Sequence, residues 1–257
     1  RLSLEKANED NVSIERELQI AETMQKRLVP SEAPPSDGFE FAWKSISAKS
    51  IGGDYVDFLT SDLGEIYAII ADASGHGINS ALLMTSFRSN YRGHAMWLEP
   101  KELAGSLNSE IVHEVGPTGM FITAALVRIE PYTSKMSLSS AGHNPAMVYR
   151  AASGEVELIG SHGPPLGFME DVGYEGYAGD FQPGDVLLLY TDGVTEACDP
   201  SQEMFGEDRL IALLEDHAVT GGAQGVLDAT LQSLANFTGC DQHDDDVSML
   251  VVKVKQR

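Results

Sequence analysis

Three acidic positions in this chain share one setting. The apolar run 66–71 ends in Asp72, and the run 186–191 ends in Asp192. Asp244, Asp245 and Asp246 open a third run, 247–252. A fourth carboxylate, Asp54, follows Gly52-Gly53, a pair that lets the backbone turn sharply and approach something closely, and Asp57 comes three residues later. In antiparallel sheets the end of one strand lies beside the start of the next, so these carboxylates can meet on one edge of a core. Clustered there they repel one another and lose solvation, and a divalent cation among them keeps them ionised. All-oxygen donors select Mg²⁺ or Mn²⁺ over Zn²⁺. No nitrogen or sulfur ligand spacing competes, since His76, His94 and His113 form no HxxxH pair. Two such cations could activate a water and neutralise a phosphoryl group during in-line displacement. There is no phosphate-binding loop ending in Gly-Lys-Ser/Thr and no Gly-x-Ser-x-Gly elbow. Ser74 and His76 stand too close in sequence to count as a catalytic pair on spacing alone.

The elements that must position these groups are legible from pattern. Strands are expected over 39–47, 65–71, 122–130, 135–140, 146–150, 155–158, 186–190 and 247–254, with Gly, Pro and Asn turn signals between many of them. Helices are expected over 78–97, 101–115, 207–217 and 224–237. Strands in consecutive runs with short turns favour antiparallel pairing, hence an α+β domain with a β core and helices outside it. Residues 1–29 hold neither Gly nor Pro. Leu4, Ala7, Asn11, Ile14, Leu18, Ala21, Gln25 and Leu28 follow a heptad seam, in which the polar Asn11 and Gln25 weaken pairing but can fix register. This predicts a helix that pairs with a symmetry mate or packs on its own domain. Pro30, Pro34 and Pro35 end it, dividing the chain into a helical segment, 1–35, and a domain, 36–257.

The chain has 17 Lys and Arg against 39 Asp and Glu, a formal charge of −22. Such acidity leaves no electrostatic footprint for nucleic acid and is repelled by anionic membrane. No run of about 20 apolar residues could span a bilayer. Two cysteines, Cys198 and Cys240, make no disulfide framework, so a cytoplasmic location is expected. Asp54, Asp57, Asp72, Asp192 and Asp244 to Asp246 are read as lying in or beside the carboxylate cluster. The other acids are surface, so the acidity does not come from the cluster, and salt should not hinder an encounter with an anionic partner.

Eight segments, in order, resemble the PPM family of metal-dependent serine/threonine protein phosphatases, in its bacterial SpoIIE-like and RsbU-like branch. They are Leu28-Val29-Pro30, Ile51-Gly52-Gly53-Asp54-Tyr55-Val56-Asp57, Ala71-Asp72-Ala73-Ser74-Gly75-His76-Gly77, Met120-Phe121-Ile122-Thr123, Ser140-Ala141-Gly142-His143-Asn144-Pro145, Pro165-Leu166-Gly167, Tyr190-Thr191-Asp192-Gly193-Val194-Thr195-Glu196-Ala197 and Asp245-Asp246-Val247-Ser248. The resemblance implies a four-layer α-β-β-α sandwich with a two-metal centre at one edge. It implies that Asp72 bridges two Mn²⁺ or Mg²⁺ ions and that Asp54, the carbonyl of Ala73, Asp192 and Asp245 complete the ligand set, with room for a third, weaker ion. Asp245 is taken over Asp244 and Asp246. A metal-activated water would attack phosphoserine or phosphothreonine directly, without a phosphoenzyme.

The same resemblance implies a phosphorylated anti-sigma-factor antagonist as substrate. It implies control by an upstream sensor or receiver domain acting through the N-terminal helix, with dimerisation there, so that this sequence is read as part of a longer chain. His143 and Asn144 are read as turn residues, Glu196 as structural, His76 as a turn residue as readily as a site residue, and Arg88 and Arg92 are not assigned to phosphate. A catalytically silent module that binds a phosphoprotein is the alternative. A diguanylate cyclase, which shares Gly-Gly-Asp, is disfavoured because Tyr55-Val56 follow and Asp192 and Asp245 have no place in it.

Overall fold

The computed structural model describes residues 14, 16–75, 77–239 and 244–256. Leu4, Ala7, Asn11 and His76 lie outside them. Among the described residues, ten strands form two antiparallel sheets. They are β1 (Phe39–Ile46), β2 (Asp54–Thr60), β3 (Ile66–Ala73), β4 (Ile122–Glu130), β5 (Lys135–Ala141), β6 (Ala146–Arg150), β7 (Glu155–Ile159), β8 (Tyr177–Asp180), β9 (Val186–Tyr190) and β10 (Val247–Val254). One sheet runs β1-β10-β9-β6-β7 and the other β2-β3-β4-β5-β8.

The sheets pack face to face because both faces of the central strands are apolar. On β3, Ile66, Ala68 and Ile70 enter the core between the sheets with Leu187, Leu189, Leu250 and Val252. The alternate residues Tyr67, Ile69 and Ala71 face α2 (Ile78–His94) and α3 (Pro100–Val115) through Phe87, Leu107 and Ile111. On the other sheet, Val186, Leu188 and Tyr190 face α5 (Gly206–Ala218) and α6 (Gly222–Thr238). Burial on both faces explains why these strands read as unbroken apolar runs rather than as alternating ones. The result is the expected four-layer sandwich. A short helix, α4 (Asp192–Thr195), follows β9 directly.

Two strands escape the sequence reading, β2 and β8. In β2 the signal is interrupted by Asp57, which is 1% exposed. Helix α3 starts one residue earlier than its periodicity predicts. Pro100 takes the first helical position, and Glu99 and Glu102 form a reciprocal capping box. The run 78–97 divides into α2 and a 3₁₀ turn, Ala95–Trp97.

The N-terminal segment is helical over residues 16–26, here α1. Of its seam, Leu18, Ala21 and Gln25, and Leu28 just beyond the helix, are half-buried, whereas Ile14 of the seam is 54% exposed and Ile20 and Met24 on the other side are 61% and 65% exposed. Beyond the helix, the indole Nε1 of Trp43 donates to the carbonyl of Pro30 at 3.2 Å, which ties the linker to β1.

Candidate carboxylate centre

The two sheets bring their acidic ends to one edge. Asp54 opens β2 and pairs in register with Asp72 near the end of β3. Asp192 lies two residues beyond Tyr190, the end of β9, and Asp245 and Asp246 precede β10, which pairs with β9. One pair of carboxylates thus comes from each sheet. Among the described residues, no three Asp, Glu, His or Cys side chains are gathered tightly enough to enclose an ion. The carboxylates are neighbours along the edge rather than a closed cage.

Their electrostatics are those of acids without cationic partners. Burial, then repulsion from Asp192, Asp245 and Asp246, pushes the Asp72 carboxyl up to about 7. Burial followed by Asp72 holds Asp54 well above the carboxylate range. Asp192 is raised by burial and then by Asp245. In each case the leading charges are other carboxylates, and ionising them together calls for positive charge from outside the chain. Asp54, Asp72, Asp192, Asp245 and the carbonyl of Ala73 could hold divalent cations. The donor chemistry, all oxygen and mostly anionic, fits Mg²⁺ or Mn²⁺.

Asp246 does something else. Its carboxylate accepts the backbone N–H of Ala48 at 2.8 Å and that of Gly53 at 2.7 Å. It therefore clamps the turn that presents Asp54. Glycine is needed in this turn because a side chain has no room. A Cβ at Gly53 would lie 2.8 Å from the Ala73 carbonyl, and one at Gly52 would strike the Asp246 carboxylate. Thr191, also buried, completes the join. Its hydroxyl donates to Asp54 at 2.9 Å and accepts the N–H of Ser248 at 3.0 Å.

Gln25 reaches the same turn from α1. Its Nε2 donates to the carbonyl of Gly52 at 2.7 Å, and its Oε1 accepts the N–H of Gly52 at 3.1 Å. This seam residue faces its own domain. Among the functional positions, sequence reasoning missed Thr191, the clamping role of Asp246 and the docking of Gln25. The one signal for them was position, since each flanks or faces the Gly-Gly-Asp and Thr-Asp-Gly segments.

One expectation is corrected. Asp57 does not lie beside the cluster. It stands three residues from Asp54 on a strand, so it points to the opposite face. There it takes an ion pair from Arg92 at 2.5 Å and a hydrogen bond from the Tyr55 hydroxyl. Arg92 is thereby committed to structure. His143 is in the β5–β6 connection, as a turn reading expects, but its side chain is 4% exposed and packed inside the protein. Burial pushes its imidazole down to about 4, so the ring is neutral.

Comparison with known proteins agrees with this architecture. The family described as Stage II sporulation protein E (SpoIIE) matches residues 62–255. Phosphoserine phosphatase RsbU of Bacillus subtilis is 27% identical over 245 residues, covering 94% of this chain and 71% of that protein. Phosphoserine phosphatase RsbP of the same organism is 28% identical over 249 residues, covering 95% of this chain and 59% of that protein. The SiaA-PP2C domain of Pseudomonas aeruginosa shares the fold with a TM-score of 0.83 at 20% identity, over 96% of this chain and 99% of that one. The chain belongs to the SpoIIE family, in the RsbU-like branch of the PPM-type phosphatases.

Proposed function

We propose that the chain is a metal-dependent protein serine/threonine phosphatase of a bacterial signalling pathway. Its substrate is read as a phosphorylated regulatory protein of the anti-sigma-factor-antagonist class. The observation that carries this reading is the edge where Asp54 and Asp72 from one sheet meet Asp192 and Asp245 from the other, with carboxylates as the leading charges on one another. Asp54, Asp72, the Ala73 carbonyl, Asp192 and Asp245 would hold two Mn²⁺ or Mg²⁺ ions. When bound, such ions supply an activated water and positive charge for the phosphoryl group.

The chain's own residues position and shield. The Thr191 hydroxyl fixes one oxygen of Asp54. Asp246 fixes the backbone of Gly53, so the start of β2 cannot drift from β10. At −22 the chain gives no long-range attraction to a phosphoprotein, so recognition rests on short-range contacts around the edge. Gln25 offers a route for control. A change in α1 that withdraws its amide from Gly52 frees the segment leading to Asp54. Dimerisation through α1 is part of this reading, and the exposed Ile20 and Met24 are the side chains it would use.

The test is phosphate release from a phosphoserine form of such an antagonist, with Mn²⁺ and with EDTA. Activity that needs Mn²⁺ and falls at least about 10²-fold in Asp72→Asn supports the reading. No turnover with Mn²⁺ or Mg²⁺, together with tight binding of the phosphoprotein, supports the silent module.

A further inference from the structure

His143 is a buried group that the reading above leaves without a task. The residue stands in the connection from β5, in one sheet, to β6, in the other. Its Nδ1 lies 2.9 Å from the hydroxyl of Thr123. Thr123 is on β4 and pairs in register with Asp72 on β3. The ring also feels the backbone of Tyr190, the last residue of β9, although Nε2 is sealed from solvent without a well-formed hydrogen bond. Tyr190 is two residues before Asp192. The next residue, Asn144, hydrogen-bonds the side chain of Tyr190, and the His143 carbonyl accepts the Ser140 hydroxyl at 3.3 Å. The imidazole is therefore a neutral strut. One end rests on the strand beside Asp72, and the ring packs toward the strand that delivers Asp192.

A polar ring at 4% exposure with an unpaired nitrogen is costly, and an apolar side chain would fill the space at less expense. A turn needs no such group. What the ring supplies is a fixed separation between two strands from different sheets, each carrying one carboxylate of the edge. We propose that His143 is a positioning residue. Through Thr123 and the end of β9 it sets the spacing between Asp72 and Asp192, and so the affinity of the centre for divalent cations. This rests on the reading of those carboxylates as metal ligands.

The test uses the full chain, His143→Leu and Thr123→Val, with Mn²⁺ itself as the probe. Thr123→Val removes only the hydroxyl and serves where the first variant fails to fold. Calorimetric titration gives the Mn²⁺ Kd, and thermal melts in EDTA report the ion-free fold. The expected result is a Kd raised about 10-fold, the lower end of losses seen for groups that orient metal ligands. The Mn²⁺ concentration for half-maximal phosphatase activity should rise in step, while KM for the phosphoprotein stays within about twofold. His143→Asn, which can keep a polar atom near Nδ1, should recover part of the affinity. A lower melting temperature in EDTA with an unchanged Mn²⁺ Kd in Thr123→Val overturns the proposal and leaves a merely structural histidine. A wild-type chain that binds no Mn²⁺ overturns the metal reading and this inference with it, whereas wild-type binding matched by both variants overturns this inference alone.

Discussion

Replacing Asp72 by Asn should stabilise the ion-free protein while removing its response to Mn²⁺. Burial and three neighbouring carboxylates push the Asp72 carboxyl from 3.8 up to about 7. Each pKa unit is worth about 1.4 kcal/mol, so an ionised Asp72 costs the ion-free fold at most about 4 kcal/mol. The sign follows from proton linkage. The folded state binds this proton more tightly than the unfolded chain does, so stability falls as pH rises from about 4 to about 7 and is level above that. Asn carries no proton to lose. The variant should match the wild type near pH 4, pull ahead across that window, and keep a constant lead at higher pH. Relaxation around the edge takes part of the bound, and a lead of about 2 kcal/mol raises Tm by about 4–8 °C in a chain of this size. The assay is a set of thermal melts from pH 4 to 8.5 in EDTA, repeated in Mn²⁺. In Mn²⁺ the order should reverse, because only the wild type gains binding free energy. Equal Tm values at pH 8 in EDTA, or a lead of the same size at pH 4, would refute the electrostatic account. A variant that still gains the full Mn²⁺ shift would refute the assignment of Asp72 to the cations.

Two further substitutions probe the turn before Asp54. Gln25→Ala loses both hydrogen bonds to Gly52, worth about 1 kcal/mol each, and should lower the Mn²⁺-dependent rate about 10-fold with little change in KM. An unchanged rate would remove α1 from control of the centre. Gly53→Ala places a Cβ 2.8 Å from the Ala73 carbonyl and 3.2 Å from the Cβ of Ser80, so chemical denaturation should show a loss of about 1–3 kcal/mol and a weakened Mn²⁺ response. Gly105→Ala, within α3 where a Cβ would meet nothing within 4 Å, is the control and should gain about 0.5–1 kcal/mol.

What could be read in advance followed from periodicity. Asp72 and Asp192 stood out because each ends a strand buried on both faces, and such strands leave an uninterrupted apolar record. The helices around Leu107 and Leu214 left a 3.6-residue record for the same reason. β2 left neither, because Asp57 occupies a helix-facing position between Tyr55 and Leu59 and is made tolerable by Arg92 and Tyr55, partners 35 and two residues away. No local pattern encodes an ion pair of that separation. The heptad over α1 was legible as a period, but not the side on which it packs. Its Gln25 looked like a register device between helices, and instead its amide docks on the domain's own Gly52. The roles of Thr191 and His143 beyond their turns were invisible for a related reason. A single polar residue at a strand end carries the same signal whether it makes a turn or joins two sheets.

The residues that escaped prediction share a position, and that position explains why a sandwich suits such a centre. Within either sheet, backbone ladders fix the carboxylates. Asp54 and Asp72 are locked in register, and β9 and β10, which carry Asp192 and Asp245, pair directly. Between the sheets there is no ladder, only side-chain packing, and packing alone tolerates small sliding. The spacing across the gap therefore depends on a few polar links at the edge. Thr191 reaches Asp54 and Asp246 reaches Gly53 across the gap, and His143, in the connection that crosses from one sheet to the other, is held to Thr123. Gln25 then grips Gly52, beside one of those links, from an element outside both sheets. A displacement too small to disturb either core can change how four like charges face one another, and Asp54, Asp72 and Asp192, raised by burial and then by their carboxylate neighbours, respond steeply to distance. The proposed control through the N-terminal helix thus needs no large rearrangement. It needs only that the least constrained dimension of the fold be the one that sets the charge cluster.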